Sequence, residues 1–397
     1  MVKKDRSEEG SQRLIKNMLP LFYQTHLQQH LTRAQFLVLG ILLELLQSQR
    51  QVKLERLASV FPYPITTESR RRKLQRFLSL PQLTIDRIWY PIITYWLTTY
   101  CQAGQTLSIV IDRTQWGCIN ILTIALVWEK RAIPLSWSLL PKLGSSNVAE
   151  QKNAISEILP ILKDYQVVVL GDREFCSVEL ANWLREKHLH FSVRLKCSLC
   201  IETEPEIWEP LKEVGLLPGI SLYFSGVKVR KTQPIEGFDI ACKWKRKYRG
   251  VSVKEGWFIL TNLGSLKKAI AAYQKRMGIE EMFRDYKSGG YYLEGTGLKG
   301  QRLMTLLLLI ALAESSALVQ GTTLKMKTVK KYIVRPQESK IKYARQSTWG
   351  SGNDSQYWLT YLDKYSEAIQ ELMALTPQKR YFYQQGMRAI SQIQSSS

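Results

Sequence analysis

From Leu14 to Leu97 apolar residues recur at intervals of three and four, as in Phe36, Leu39, Leu43 and Leu46, the period of helices with one buried face. The pattern predicts an all-α N-terminal domain over about residues 1–100. Inside it, LERLASVFPYPITTESRRRKLQRFLS reads as two helices joined by a proline-containing turn, with Thr66 or Thr67 capping the second. That second helix carries Arg70, Arg71, Arg72, Lys73 and Arg76, so residues 52–80 are helix-turn-helix-like, with cations placed to hold phosphates. A solvated basic helix packed through Leu74, Phe77 and Leu78 is the plainer alternative.

After Tyr100 the period shortens to runs of β-branched residues. LSIVIDRT, CINILTIALVW and AIPLSWSLL read as three consecutive strands. A helix over 148–162, a strand in QVVVLGDREF, a helix in SVELANWLREK and a strand in LHFSVRLK follow. Three antiparallel strands and then helix, strand, helix, strand is the element order of a ribonuclease-H-like α/β layer. It predicts a ribonuclease-H-like core over 101–302, with a proline-bearing, β-rich insertion at about 197–255 and a helical C-terminal region over 303–397. Within the insertion, CKWKRKYRG interleaves Lys243, Lys245, Arg246 and Lys247 with Trp244 and Tyr248. Such a pattern suits base stacking and phosphate contact, or else a sheet edge guarded by lysines.

The stretch Lys267 to Lys287, KKAIAAYQKRMGIEEMFRDYK, holds no proline and predicts one helix. At about 100° per residue, Tyr273, Arg276, Glu280 and Lys287 fall within an arc of about 60°. A phenol, a guanidinium, a carboxylate and an ammonium on one face suggest a surface turned towards an anion and a metal. Glu281 lies about 100° away from that face.

Composition narrows the partners. The 397 residues hold 56 Lys and Arg against 34 Asp and Glu, a net charge of +22. Such an excess points to a polyanion, with nucleic acid ahead of a membrane surface. The apolar runs Phe36 to Leu46 and Leu303 to Ala313 are shorter than the roughly 20 residues a spanning helix requires, so no membrane is expected. The opening MVKKDRSEEGSQR lacks the apolar segment of a secretory signal, and six scattered cysteines fit a reducing cytoplasm. His188, His190, Cys197 and Cys200 offer only a weak zinc pattern.

Asp112 and Asp172 each end an apolar strand, and in a ribonuclease-H-like order those two strands lie side by side. Two close carboxylates repel unless a cation neutralises them, and an oxygen-only donor set suits Mg²⁺ or Mn²⁺. An aspartate at a strand end is also a common turn residue.

VIDRT, VVVLGDREF and YQKRMGIEEMFRDYK together resemble the DDE transposases of bacterial insertion sequences, in the group marked by Tyr-x2-Arg-x3-Glu-x6-Lys. Tyr273, Arg276, Glu280 and Lys287 match that signature at every spacing. The resemblance spans about Leu107 to Arg302. It implies that Asp112, Asp172 and Glu280 bind two Mg²⁺ ions, with Mn²⁺ able to substitute, for cleavage and strand transfer by in-line displacement at phosphate. It also implies that Tyr273, Arg276 and Lys287 hold backbone phosphate, that Trp257 stacks on an extruded base, and that Arg194 lies near the same pocket. The implied partners are double-stranded DNA at transposon ends and target, and a second copy of the chain in a synaptic homodimer. The implied location is the bacterial cytoplasm, on the nucleoid. A DNA-binding protein that has lost catalysis, or a ribonuclease-H-like nuclease without strand transfer, are the competing expectations.

Overall fold

The computed structural model describes residues 19–129, 131–246, 255–287, 290–325, 329–334 and 347–395. Lys247, among the expected nucleic-acid contacts, and most of the basic segment after Lys325 lie outside the described residues. The chain divides into two compact units, residues 1–92 with 287–397, and residues 93–286.

The first unit begins with α1 (Leu21–His30), α2 (Arg33–Gln49), α3 (Leu54–Val60) and α4 (Thr67–Phe77). Thr32 opens α2 with a capping box: its Oγ1 accepts the Gln35 N–H at 3.3 Å and its own N–H donates to Gln35 Oε1 at 3.0 Å. Thr66 caps α4 by accepting the Ser69 N–H at 3.2 Å, and Leu74, Phe77 and Leu78 are buried beneath it. A π-helical turn at Ile85–Trp89 leads into α5 (Tyr90–Tyr100).

The second unit is built on one mixed sheet of ten strands: β1 (Thr106–Trp116), β2 (Ile119–Trp128), β3 (Arg131–Leu139), β4 (Gln166–Gly171), β5 (His190–Arg194), β6 (Cys200–Glu204), β7 (Ile207–Pro210), β8 (Ser221–Val229), β9 (Ile235–Lys243) and β10 (Trp257–Thr261). Two helices, α6 (Val148–Ile158) and α7 (Val178–Glu186), form the crossovers on either side of β4. Two more, α8 (Leu266–Gln274) and α9 (Met277–Tyr286), follow β10.

The strand order is β3-β2-β1-β4-β5-β10-β9-β8-β6-β7. β1, β4 and β5 run parallel, and β2 and β3 form an antiparallel meander on one side. This is a ribonuclease-H-like α/β core, and its central strands read as continuous apolar runs because both faces are covered. Ile259 of β10 and Ala241 of β9 pack with Ala269, Ile270 and Tyr273 of α8 on one face. Arg185 of α7 lies over Phe238, whose side chain points to the other face because it is three positions from Ala241. The β-rich segment is not a separate lobe. It extends the same sheet, with β10 returning to pair between β5 and β9.

The remaining helices belong to the first unit: α10 (Gly300–Lys325), α11 (Lys330–Ile333), α12 (Thr348–Lys364), α13 (Ser366–Leu375) and α14 (Arg380–Gln394). α10 corrects the expectation of a short apolar run. Polar and small residues after Ala313 continue the helix, so its segment Gly300–Leu324 is long and apolar enough to cross a membrane by length and composition. Burial within the fold covers 89% of that apolar window, as in a core helix. It crosses α12 closely, since a Cβ on Gly321 would fall 1.9 Å from Thr348 O and one on Gly352 would fall 1.8 Å from Ala317 O. Gln47 of α2 donates to Ala313 O at 3.0 Å, tying the N-terminal helices to this C-terminal core.

Candidate active site

Two carboxylates come together because two parallel strands run in register. Ile111 of β1 pairs with Gly171 of β4, so Asp112 and Asp172 follow side by side. Gly171 is required by close packing, since a Cβ there would meet Phe175 Cβ at 2.8 Å. Asp172 then caps a 3₁₀ turn, Arg173–Phe175, its Oδ1 accepting the Glu174 N–H at 2.8 Å. Asp112 Oδ1 accepts the Arg113 N–H at 2.7 Å.

Asp112, expected to end its strand, lies inside β1, which continues to Trp116 because Arg113 to Trp116 keep pairing with β2; only Asp172 follows a strand end. The residues after each aspartate lock the two segments together. Arg113 Nε donates to both oxygens of Glu174, at 2.9 and 3.0 Å, and Nη1 donates to Gln115 and Asn120. Glu174 Oε1 also accepts from Ser146 N and Oγ, each at 2.9 Å. Burial pushes the Glu174 carboxyl up, but Arg113 and Ser146 outweigh it and hold it below its ordinary value.

The stretch expected as one helix from Lys267 to Lys287 is broken. α8 ends at Gln274 and α9 starts at Met277. Between them Lys275, Arg276, Gly278 and Ile279 donate to carbonyls three residues back, a tighter winding than the α-helix. Gly278 then packs on the backbone of β3, where an added Cβ would meet Arg131 O at 2.9 Å. The break keeps the polar residues together: Arg276 lies over the Tyr273 ring at 5.7 Å, approaches Asp112 Oδ2 at 3.5 Å and pairs with Glu280. Glu281 pairs with Arg284 instead.

Asp112 reports the electrostatics of the site. Burial raises its carboxyl most, and with the charges of Asp172 and Glu280 it pushes the value up to about 7 against the pull of the Arg113 N–H and Arg276. Three carboxylates therefore act on one point, with Arg276 the cation among them. Among the described residues, no group of three His, Cys, Asp or Glu is close enough to hold a metal ion as it stands. The donor set is nonetheless all oxygen, and the strained ionisation of Asp112 is what a hard divalent cation relieves. Asp112, Asp172 and Glu280 are the residues that would hold it.

The other expected residues are divided between the two units. Trp257 meets Tyr273 edge-on at 5.1 Å and 72°, and Lys245 Nζ lies 5.2 Å from the Trp257 ring centre. Arg194 interacts with Tyr273 and pairs with Glu255 at 2.9 Å. Lys243 pairs in register with Trp257, and Arg246 fills the space beside Gly219. Lys287, after α9, pairs with Glu294 at 3.1 Å within the first unit. On α4, Arg71 and Arg72 bond the Glu68 carboxylate and hold it at about 2, Arg70 donates to Thr67 Oγ1 at 3.0 Å, and Lys73 lies over Tyr63 at 4.6 Å. Arg76 stands in the last turn of the same helix. Arg173 and Glu255, which neither periodicity nor motif spacing singles out, also belong to the site.

Residues 142–313 match the family model described as the transposase DDE domain. That stretch holds Asp172 and Glu280; Asp112 lies before it. No curated protein matches the chain. Among solved structures, the piggyBac transposase synaptic complex with hairpin DNA overlaps at 12% identity and a TM-score of 0.39, over 81% of this chain and 83% of that one, too loosely to bear on the site.

Proposed function

We propose that this chain is a DDE transposase of the insertion-sequence type, which cuts DNA at element ends and joins the freed 3′-hydroxyl to a target. The observation that carries it is the adjacency of Asp112, inside β1, and Asp172, just past the end of the parallel β4, with Glu280 coupled into the same charge cluster. The match of residues 142–313 to the transposase DDE domain supports the same assignment.

In this reading Asp112, Asp172 and Glu280 hold Mg²⁺ or Mn²⁺, which when bound supplies charge neutralisation and activation of the attacking oxygen. The chain's own residues do the rest. Arg113 and Glu174 fix the spacing of β1 and the turn after β4, so that both aspartates face one phosphate without reorganising. Arg276 holds Glu280 and Asp112 while the site is open and turns its guanidinium to a phosphate oxygen when DNA enters. Tyr273 packs beneath Arg276, and Trp257 offers a ring for an unstacked base. The basic α4 holds flanking duplex, and two copies of the chain each hold one end.

The test is cleavage of duplexes carrying the element's ends, with Mg²⁺ or Mn²⁺. Asp112→Ala, Asp172→Ala and Glu280→Ala should each lower the nicking rate at least about 100-fold while duplex binding persists. Nicking that survives all three substitutions would overturn the assignment. Nicking without joined products would mark a nuclease instead.

A further inference from the structure

Arg173, Arg194 and Arg276 converge beside the carboxylates from three separate segments: the 3₁₀ turn after β4, the end of β5 and the break before α9. Each has its Nε buried without a hydrogen-bond partner. One acidic oxygen serves two of them, because Glu255 Oε1 takes Arg173 Nη2 and also Arg194 Nη2, the latter at 2.9 Å. We propose that Arg173 and Arg194 form a seat for one nucleic-acid phosphodiester, and that Glu255 fills this seat when no strand is bound and is displaced by the strand.

The inference rests on the reading of the chain as a DNA-cutting enzyme and adds an internal competitor for its substrate. Two guanidiniums that share one anionic oxygen present the geometry that a phosphate oxygen meets, and a phosphodiester can use the same donors. Arg194 is held by Tyr273, and Arg173 starts a turn capped by Asp172. Glu255 is 41% exposed, so on release its carboxylate returns to water at little cost. Burial, with the neighbouring charges of Arg173 and Arg276, presses the Arg194 guanidinium below its ordinary value despite Tyr273.

The experiment measures binding of a labelled duplex against salt concentration, and protection from thermal unfolding by inorganic phosphate, in the full chain. Glu255→Gln removes the competitor and should tighten duplex binding by about 5- to 20-fold, as expected when a fraction of sites no longer has to open. Arg173→Gln should weaken binding and shallow the log K against log salt slope by about 1, with Arg173→Lys recovering part of the affinity. The double variant should bind like Arg173→Gln alone. Unchanged or weaker binding by Glu255→Gln overturns the proposal while leaving the DNA-cutting assignment standing. If the wild-type chain binds no duplex, that assignment fails. Stronger phosphate protection in Glu255→Gln than in wild type, lost in Arg173→Gln, then still supports the seat, and equal protection overturns it.

Discussion

Asp112 is the residue whose chemistry reveals most about the site. Burial, with the charges of Asp172 and Glu280, pushes its carboxyl up to about 7 in the fold from an ordinary 3.8. A raised folded value means that the protonated form is the stable one, so its contribution is complete below about 4 and disappears as pH rises through about 7. In metal-free buffer Asp112→Asn should therefore raise the melting temperature at pH 8 and change it little at pH 4. The gain is bounded by about 4 kcal/mol, since each tenfold change in proton affinity is worth about 1.36 kcal/mol. Adding Mg²⁺ should stabilise the wild type and narrow this gap; a lower melting temperature for the variant at pH 8 would refute the account. Glu174 runs the other way. Arg113 and Ser146 hold it low, so it stabilises the fold above its ordinary range and loses that effect as pH falls through its depressed value. The pair is mostly buried, with side chains 16% and 14% exposed, so Arg113→Leu should cost about 2–4 kcal/mol by leaving Glu174 uncompensated. Urea unfolding at pH 7 and pH 3 checks both, with the difference between variant and wild type shrinking at the lower pH.

At the scale of elements, the strands and crossovers are legible in the sequence, because a sheet covered on both faces writes long apolar runs and each run ends at a polar residue. Asp112 and Asp172 stand out for that reason. The break between α8 and α9 is not legible. Lys275, Arg276 and Met277 are ordinary helix residues, and the break answers to tertiary packing of Gly278 on the Arg131 carbonyl, which local periodicity does not encode. The Arg113–Glu174 clamp is equally hidden, since it links residues 61 apart that meet only once β1 and β4 are in register. Gly278→Ala tests the element directly. The added Cβ, 2.9 Å from Arg131 O, must push α9 off β3 and carry Glu280 with it. Overpacking of this kind costs about 1–3 kcal/mol. Circular dichroism should show the helices retained, while nicking falls by at least about 10-fold, the effect of misplacing a catalytic group by a fraction of an ångström. Full activity in a stable Gly278→Ala chain would show that the position of α9 does not matter.

For the whole molecule, the governing quantity is its charge of +22. The excess is distributed over both units, with Arg70, Lys73 and Arg76 on α4 in one and Lys243, Lys245, Arg246, Arg173 and Arg194 in the other. Arg71 and Arg72 on α4 are already engaged by Glu68, so the neighbouring cations are the ones available for a backbone. Each phosphate neutralised releases counterions and adds about −0.9 to the slope of log K against log salt. Substituting Arg70, Lys73 and Arg76 together by Gln should shallow that slope by about 2–3 and weaken binding at low salt. Asp172→Ala, which removes a negative charge at the site, should leave the slope unchanged and tighten metal-free binding slightly. The two variants thus separate the parts: one carries the polyanion and the other works on a single phosphate within it. Equal slopes for wild type and the α4 variant would mean that this helix faces solvent, and that duplex is held by the sheet unit alone.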